Sequence, residues 1–148
     1  MEIERKFLLK KLPEGLSAFP HEKIRQGYLN RKPVVRVREQ GEHYTLTYKG
    51  EGLMAREEYN LPLDKESFLH LIEKADGRVI QKTRYKIPYQ SYLIELDFFE
   101  DICIDSTEPL MMAEVEFSSE EEARSFVPPD WFGQDVTDDP RYHNSNMG

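Results

Sequence analysis

Residues 1–10 read MEIERKFLLK, and within them Glu2, Glu4 and Lys6 alternate with Ile3, Arg5 and Phe7. Alternate side chains of a strand share one face. The segment therefore predicts a strand over 2–9 that gathers two carboxylates and an ammonium on one side. The same pattern returns along the chain. Arg36 and Arg38 share a face against Val35 and Val37, and Thr45, Thr47 and Lys49 oppose Tyr44, Leu46 and Tyr48. Lys82 and Arg84 oppose Thr83, Tyr85 and Ile87. Glu95 and Asp97 oppose Ile94, Leu96 and Phe98, and Glu114 and Glu116 oppose Ala113, Val115 and Phe117.

One such strand alone would describe an ordinary sheet with a buried apolar face and a solvated polar one. Taken together, the strands segregate by sign. The bases Arg36, Arg38, Lys49, Lys82 and Arg84 lie on some strands, and the acids Glu2, Glu4, Glu95, Asp97, Glu114 and Glu116 on others, with Lys6 beside the first acidic pair. A solubilising surface has no need of that segregation. If the strands curl so that the charged faces point inward, the interior is a polar channel. A pair of charges about 4 Å apart is then worth about 4 kcal/mol at an effective dielectric near 20. Unpaired buried charge is costlier, so a ligand must neutralise it. Clustered carboxylates hold hard divalent cations, and clustered Arg and Lys hold phosphate oxygens. A channel with both suits a metal–polyphosphate complex.

The remaining segments frame this channel. Residues 23–29, 34–39, 43–49, 53–61, 78–87, 92–99 and 110–117 are predicted strands with short, turn-rich connections, which implies antiparallel neighbours. In 65–75, Phe68, Leu69, Leu71 and Ile72 form a stripe at helical spacing. Ser119 and Glu122 have the spacing of a capping box for a second helix over 120–126, stopped by Pro128 and Pro129. The tail from Trp131 to Gly148 is polar and suggests a short helix around its aspartates. No repeat or linker divides the 148 residues, so one domain over 1–148 of α+β or barrel-like class is expected.

Composition narrows the partners. A net charge of −8 argues against loose binding to nucleic acid or to anionic membranes. No apolar run reaches the roughly 20 residues that span a bilayer. The single cysteine, Cys103, cannot form an internal disulfide, so a reducing, cytoplasmic compartment is expected. Gly50-Glu51-Gly52 lacks Walker spacing and reads as a turn. His21, His43, His70 and His143 show no mutual metal-ligand spacing and are expected at the surface. Glu120–Glu122 suit a helix N-terminus. Tyr28 is balanced between the channel and packing, and Arg56 and Glu58 between lining the channel and lying outside it.

Glu2-Ile3-Glu4-Arg5-Lys6 resembles the ExExK signature that opens the CYTH, or triphosphate tunnel metalloenzyme, family. Arg36-Val37-Arg38, Tyr48-Lys49-Gly50, Lys82-Thr83-Arg84-Tyr85, Ile94-Glu95-Leu96-Asp97, Ala113-Glu114-Val115-Glu116-Phe117 and the closing Tyr142-His143-Asn144-Ser145 match in order. The resemblance implies a closed antiparallel β-barrel of about eight strands with a few flanking helices, forming a tunnel that binds a triphosphate with Mg²⁺ or Mn²⁺ and hydrolyses it. It implies that Glu2, Glu4, Glu114 and Glu116 hold metal, and that Glu95 and Asp97 support the metal or orient water. Lys6, Arg36, Arg38, Lys49, Lys82 and Arg84 would clamp phosphate, with Arg56 as a further candidate. Within that family the substrate could be inorganic triphosphate, the leading expectation, or thiamine triphosphate, and a cyclase making cAMP from ATP would need the same clamp. A polyphosphate-binding module is the non-enzymatic alternative. Apolar outer faces make a homodimer an expectation as well.

Overall fold

The computed structural model describes residues 1–147, so Gly148, the last residue of the polar tail, lies outside the described residues. Ten strands and two α-helices are formed in the order β1 (Glu2–Leu9), β2 (His21–Arg31), β3 (Val34–Gln40), β4 (His43–Lys49), β5 (Ala55–Arg56), β6 (Glu58–Leu63), α1 (Lys65–Ile72), β7 (Asp76–Tyr89), β8 (Tyr92–Phe99), β9 (Met111–Glu116), α2 (Glu120–Ser125) and β10 (Phe132–Asp135). Every pairing is antiparallel. The sheet runs β10-β1-β9-β8-β7-β2-β3-β4-β6, with β5 beside β1. Among the described residues no helix is long and apolar enough to cross a membrane.

From the sequence, a closed ring of about eight strands is expected; the hydrogen-bonded order is instead a path with two ends. Only the short β5 reaches back to β1, pairing Arg56 with Glu2 and Ala55 with Ile3. The expected strand over 53–61 divides because its two halves pair in different directions, β5 with β1 and β6 with β4. The expected helix over 65–75 stops at Ile72, capped at its start by Asp64, whose carboxylate accepts from the Ser67 amide. Strands β2 and β7 overrun their expected limits because each keeps a partner beyond them, as in the pairing of Tyr28 with Asp76. Ser119 caps α2 through the Glu122 amide, as its spacing predicts.

The tail departs most from expectation. It holds β10 and two short 3₁₀ turns, Pro140–Tyr142 and Asn144–Asn146, not a helix around the aspartates. Strand β10 has no alternation to reveal it. Its place depends on backbone approach: a Cβ at Gly133 would stand 3.1 Å from the Leu9 carbonyl carbon and 3.2 Å from the Leu8 oxygen.

Two apolar clusters hold the fold. The first lies on the face away from the charges, where Ile3, Phe7, Ile94, Leu96 and Val115 pack beneath Ala123, Phe126, Trp131 and Phe132 from α2 and the following segment. Helix α1 covers another part of the outer surface through the buried Phe68 and sits tightly on β2, since a Cβ at Gly27 would meet Ile72 and Ala75 at under 3.0 Å. The second cluster joins Tyr28, Val34, Ile80, Phe99 and Met112 to Val136 and Tyr142. Val34, Ile80, Phe99 and Met112 lie two residues from Arg36, Lys82, Asp97 and Glu114, hence on the same faces as the charges. The charged face is thus one end of a continuous surface whose other end is an apolar plug.

Candidate active site

Nine of the thirteen charged residues singled out in the sequence are buried: Glu2, Glu4, Lys6, Arg36, Lys49, Lys82, Arg84, Asp97 and Glu114. Arg38, Arg56 and Glu95 are half-buried, as is Glu58, and Glu116 is exposed. They meet because the antiparallel register sets them side by side. Glu4 stands opposite Glu116 and Lys6 opposite Glu114 across β1 and β9, while Arg84 faces Asp97 across β7 and β8. These groups line two adjoining cavities. An outer bowl of about 280 Å³ is walled by residues including Glu2, Glu58, Glu95, Glu116, Arg36, Arg38 and Arg84. A deeper space of about 20 Å³, room for about one water, is lined by Lys6, Tyr28, Arg36, Arg38, Lys49, Lys82, Asn144 and others. Glu4 and Glu114 line both. The rim is therefore acidic and the depth basic.

Ion pairs link the two levels. Lys6 Nζ donates to Glu4 at 2.8 Å and to Glu114 at 3.0 Å. Burial alone would lower its pKa, but Glu114 and Glu4 outweigh that and hold it above the ordinary lysine value. Lys49 donates to Glu2 at 2.9 Å, and Arg56 reaches the other oxygen of Glu2 at 3.4 Å. Arg84 grips Asp97 with two hydrogen bonds of 2.7 and 2.9 Å, and Lys82 sits 2.7 Å from the same carboxylate. Burial would raise the Asp97 pKa, yet Arg84 and Lys82 hold it below the usual value. Glu114 is held well below its usual value in the same way, against burial, by Lys6, Lys82 and Arg84.

Other cations are met by neutral groups. Arg36 donates to Thr47 Oγ1 at 3.1 Å, and its Nε is buried with no hydrogen-bond partner among the described residues. Arg38 donates to Gln26 Oε1 at 2.8 Å; burial, then Arg36 and Arg84, push its pKa down to about 9. Lys82 also donates to Asn144 Oδ1 at 2.9 Å. Burial lowers its pKa to about 7, Asp97 opposing and Arg84 and Arg38 adding to the fall. At the rim the imbalance has the opposite sign. Glu116 makes no ion pair among the described residues; although it reaches the surface, partial desolvation at the bowl and then Glu2, Glu58, Glu4 and Glu95 raise its pKa. Among the described residues no three acidic, histidine or cysteine side chains already converge as a metal cage. The expected metal carboxylates Glu2, Glu4 and Glu114 are engaged by lysines, so only Glu116 is free of a cation.

The chain matches the CYTH domain model over residues 1–142. It belongs to the CYTH domain family. Among CYTH relatives it is 45% identical over 152 residues to an inorganic triphosphatase of Nitrosomonas europaea, covering 99% of this chain and 95% of the relative. An inorganic triphosphatase of Acetivibrio thermocellus is 37% identical over 158 residues, covering 99% and 92%. A crystal structure of an inorganic triphosphatase superposes with a TM-score of 0.69 at 40% identity, covering 99% of this chain and 93% of that one.

Several residues of this CYTH site went unread in the sequence. Gln26, fully buried, bridges Arg38, Tyr28 and Asn144. Its position two residues before Tyr28 put it on the same face, which was the available signal. Tyr28, left in balance, does both things: it lines the deep cavity and packs in the second apolar cluster. Arg56 and Glu58 also line the cavities. His21, His43 and His70 are exposed as expected, but His143 is buried, its Nε2 3.1 Å from the Thr137 carbonyl. The tail that buries it has no periodicity from which to foresee this. Cys103 is exposed, and Gly52, with φ of +134°, belongs to the turn after β4.

Proposed function

We propose that this protein is a metal-dependent enzyme acting on inorganic triphosphate, in keeping with the two relatives, both inorganic triphosphatases. The observation that supports this reading most is the bowl's lining. Among the residues that line it, Glu2, Glu4, Arg36, Arg38, Gln40, Thr45, Lys49, Glu58, Asn60, Arg84, Glu95, Glu114 and Glu116, none is aromatic or aliphatic. Such a wall offers cations to phosphate oxygens, carboxylates to a metal ion, and no aromatic or aliphatic side chain to pack a nucleobase. This favours a bare linear phosphate over a nucleoside triphosphate.

A divalent cation fits the acidic rim. The donor set there is carboxylate oxygen, the chemistry of a hard ion, and partial desolvation with crowding of like charge already raises the Glu116 pKa. Glu2, Glu4 and Glu116 would hold it, with Mg²⁺ or Mn²⁺ as the candidates. When bound, the ion supplies positive charge against phosphate oxygens and makes a bound water more acidic. The rest is work for the chain's own residues. Arg36 and Arg38, whose cationic groups have no carboxylate partner among the described residues, bind the phosphate oxygens. Arg84, held by Asp97 at the wall of the bowl, stabilises charge that develops on the terminal phosphoryl group, and Lys82, on the same carboxylate, binds an oxygen of the phosphate from the basic depth below. Positioning and charge suffice for phosphoryl transfer, so no side-chain nucleophile is needed.

We take β5 to complete the wall of a tunnel. Its pairing with β1, the Glu4 amide bond to the Met54 carbonyl and the Lys49–Glu2 ion pair support closure across that seam. A cytoplasmic location belongs to the same reading, as does a homodimer through the exposed Tyr59 and Leu61 of β6. Orthophosphate release from inorganic triphosphate, thiamine triphosphate and ATP, at equal concentration with Mg²⁺ or Mn²⁺, tests the substrate. Inorganic triphosphate should turn over fastest, and a preference for ATP would refute the assignment.

A further inference from the structure

The cations of the depth fall into two groups. Lys6 and Lys49 each meet carboxylates, and are neutralised before any ligand arrives. Arg38 and Lys82 are treated differently. Arg38 Nε donates to the side-chain oxygen of Gln26 at 2.8 Å. Gln26 Nε2 donates to Asn144 Oδ1 at 3.1 Å and to Tyr28 Oη at 3.1 Å. Asn144 Oδ1 accepts in turn from Lys82 Nζ at 2.9 Å. Gln26 is wholly buried, and Asn144 lies on the 3₁₀ turn that backs the deep cavity. Lys82 has one carboxylate neighbour, Asp97, but Arg84 takes both of its oxygens as well. Asp97 is thus divided between two cations, of which Arg84 also reaches Glu95 at 3.2 Å and Glu114 at 3.8 Å, while Lys82 has no other carboxylate partner among the described residues.

An amide oxygen orients a cation by a hydrogen bond without cancelling its charge, whereas a carboxylate does both and binds more strongly. Two amides in places where carboxylates would give the stronger bonds forgo stability in the free protein. They leave positive charge for something else to satisfy. We infer that Gln26 and Asn144 are positioning residues, which hold Arg38 and Lys82 through neutral oxygens so that it is the phosphate oxygens of the substrate, and not a carboxylate in the amides' place, that stabilise the charged form of both groups. The inference rests on the triphosphatase reading above and adds the reason that this wall tolerates uncompensated cations.

Asn144→Asp is the discriminating variant, because it keeps the shape and the acceptor oxygen and adds only charge. Its KM for inorganic triphosphate should rise at least tenfold, about 1.4 kcal/mol, with kcat changed less than threefold and a melting temperature no lower than wild type. Asn144→Ala, which loses the acceptor but adds no charge, should raise KM less than Asn144→Asp. Gln26→Glu provides the same reading beside Arg38 should Asn144→Asp not fold. A purely structural amide predicts the reverse order, with the aspartate tolerated and the alanine impaired. That order, or a KM within twofold of wild type for Asn144→Asp, overturns the inference while wild-type turnover keeps the triphosphatase reading intact. A wild-type protein inert toward triphosphate overturns that reading, and this inference with it.

Discussion

Replacing Asp97 with asparagine probes the electrostatic frame of the site. The carboxylate is wholly buried and holds Arg84 through bonds of 2.7 and 2.9 Å and Lys82 at 2.7 Å. Asparagine fills the same space, but one of its two polar atoms becomes a donor facing a donor. Lys82 then loses its carboxylate partner, and Arg84 keeps only Glu95 at 3.2 Å and Glu114 at 3.8 Å. Breaking a buried ion pair by removing one partner costs about 3–5 kcal/mol, a large part of the roughly 5–15 kcal/mol that stabilises a typical domain. Urea unfolding at neutral pH should show that loss as a lower midpoint with an unchanged slope. Melting should fall on the order of 10 °C, since about 1 kcal/mol shifts a protein of this size by about 2–4 °C. Triphosphate should stabilise the variant at least as much as wild type, because the anion supplies the missing negative charge. A loss below about 1 kcal/mol would refute the idea that Asp97 neutralises two buried cations.

Three further outcomes follow from the same geometry. Lys82 has its pKa lowered by burial to about 7, so it is largely neutral in the free protein above that pH and regains its proton beside a polyanion. Calorimetry in buffers of different ionisation enthalpy should therefore show wild type taking up more protons on binding triphosphate than Lys82→Arg at about pH 8, with the difference vanishing near pH 6. Glu116→Gln removes one member of the like-charged rim, so in a chelator the variant should melt slightly above wild type and gain less from Mg²⁺. Arg36→Met removes a buried guanidinium with an unpartnered Nε; the free protein should be no less stable, while KM for triphosphate rises at least tenfold, about 1.4 kcal/mol.

Much of this site was legible because a period of two decides which face a side chain takes. The charged pairs on β1, β3, β7, β8 and β9 could be read directly, and the register then brings Glu4 to Glu116 and Arg84 to Asp97. What alternation cannot give is depth along a strand. Ile80, Phe99 and Met112 share faces with Lys82, Asp97 and Glu114, and whether that face is a channel or a plug at a given level depends on what covers it. The cover comes from Val136, Tyr142 and the Asn144 turn, in a tail whose place is fixed by long-range backbone contacts such as Val136 N–H to the Lys6 carbonyl. The division between β5 and β6 was hidden for a related reason, since one run of residues serves two different partner strands. Charge alternation gives no signal for the amides Gln26 and Asn144, which act by having no charge; Asn144 stands out only as part of the closing Tyr142-His143-Asn144-Ser145 match, which assigns it no role.

Orthophosphate release from inorganic triphosphate, measured with Mg²⁺, with Mn²⁺ and with a chelator, bears most directly on the whole account. Sustained turnover with at least one of the ions and none in chelator is the predicted result. Failure to release orthophosphate with either ion, from a folded protein, would contradict it.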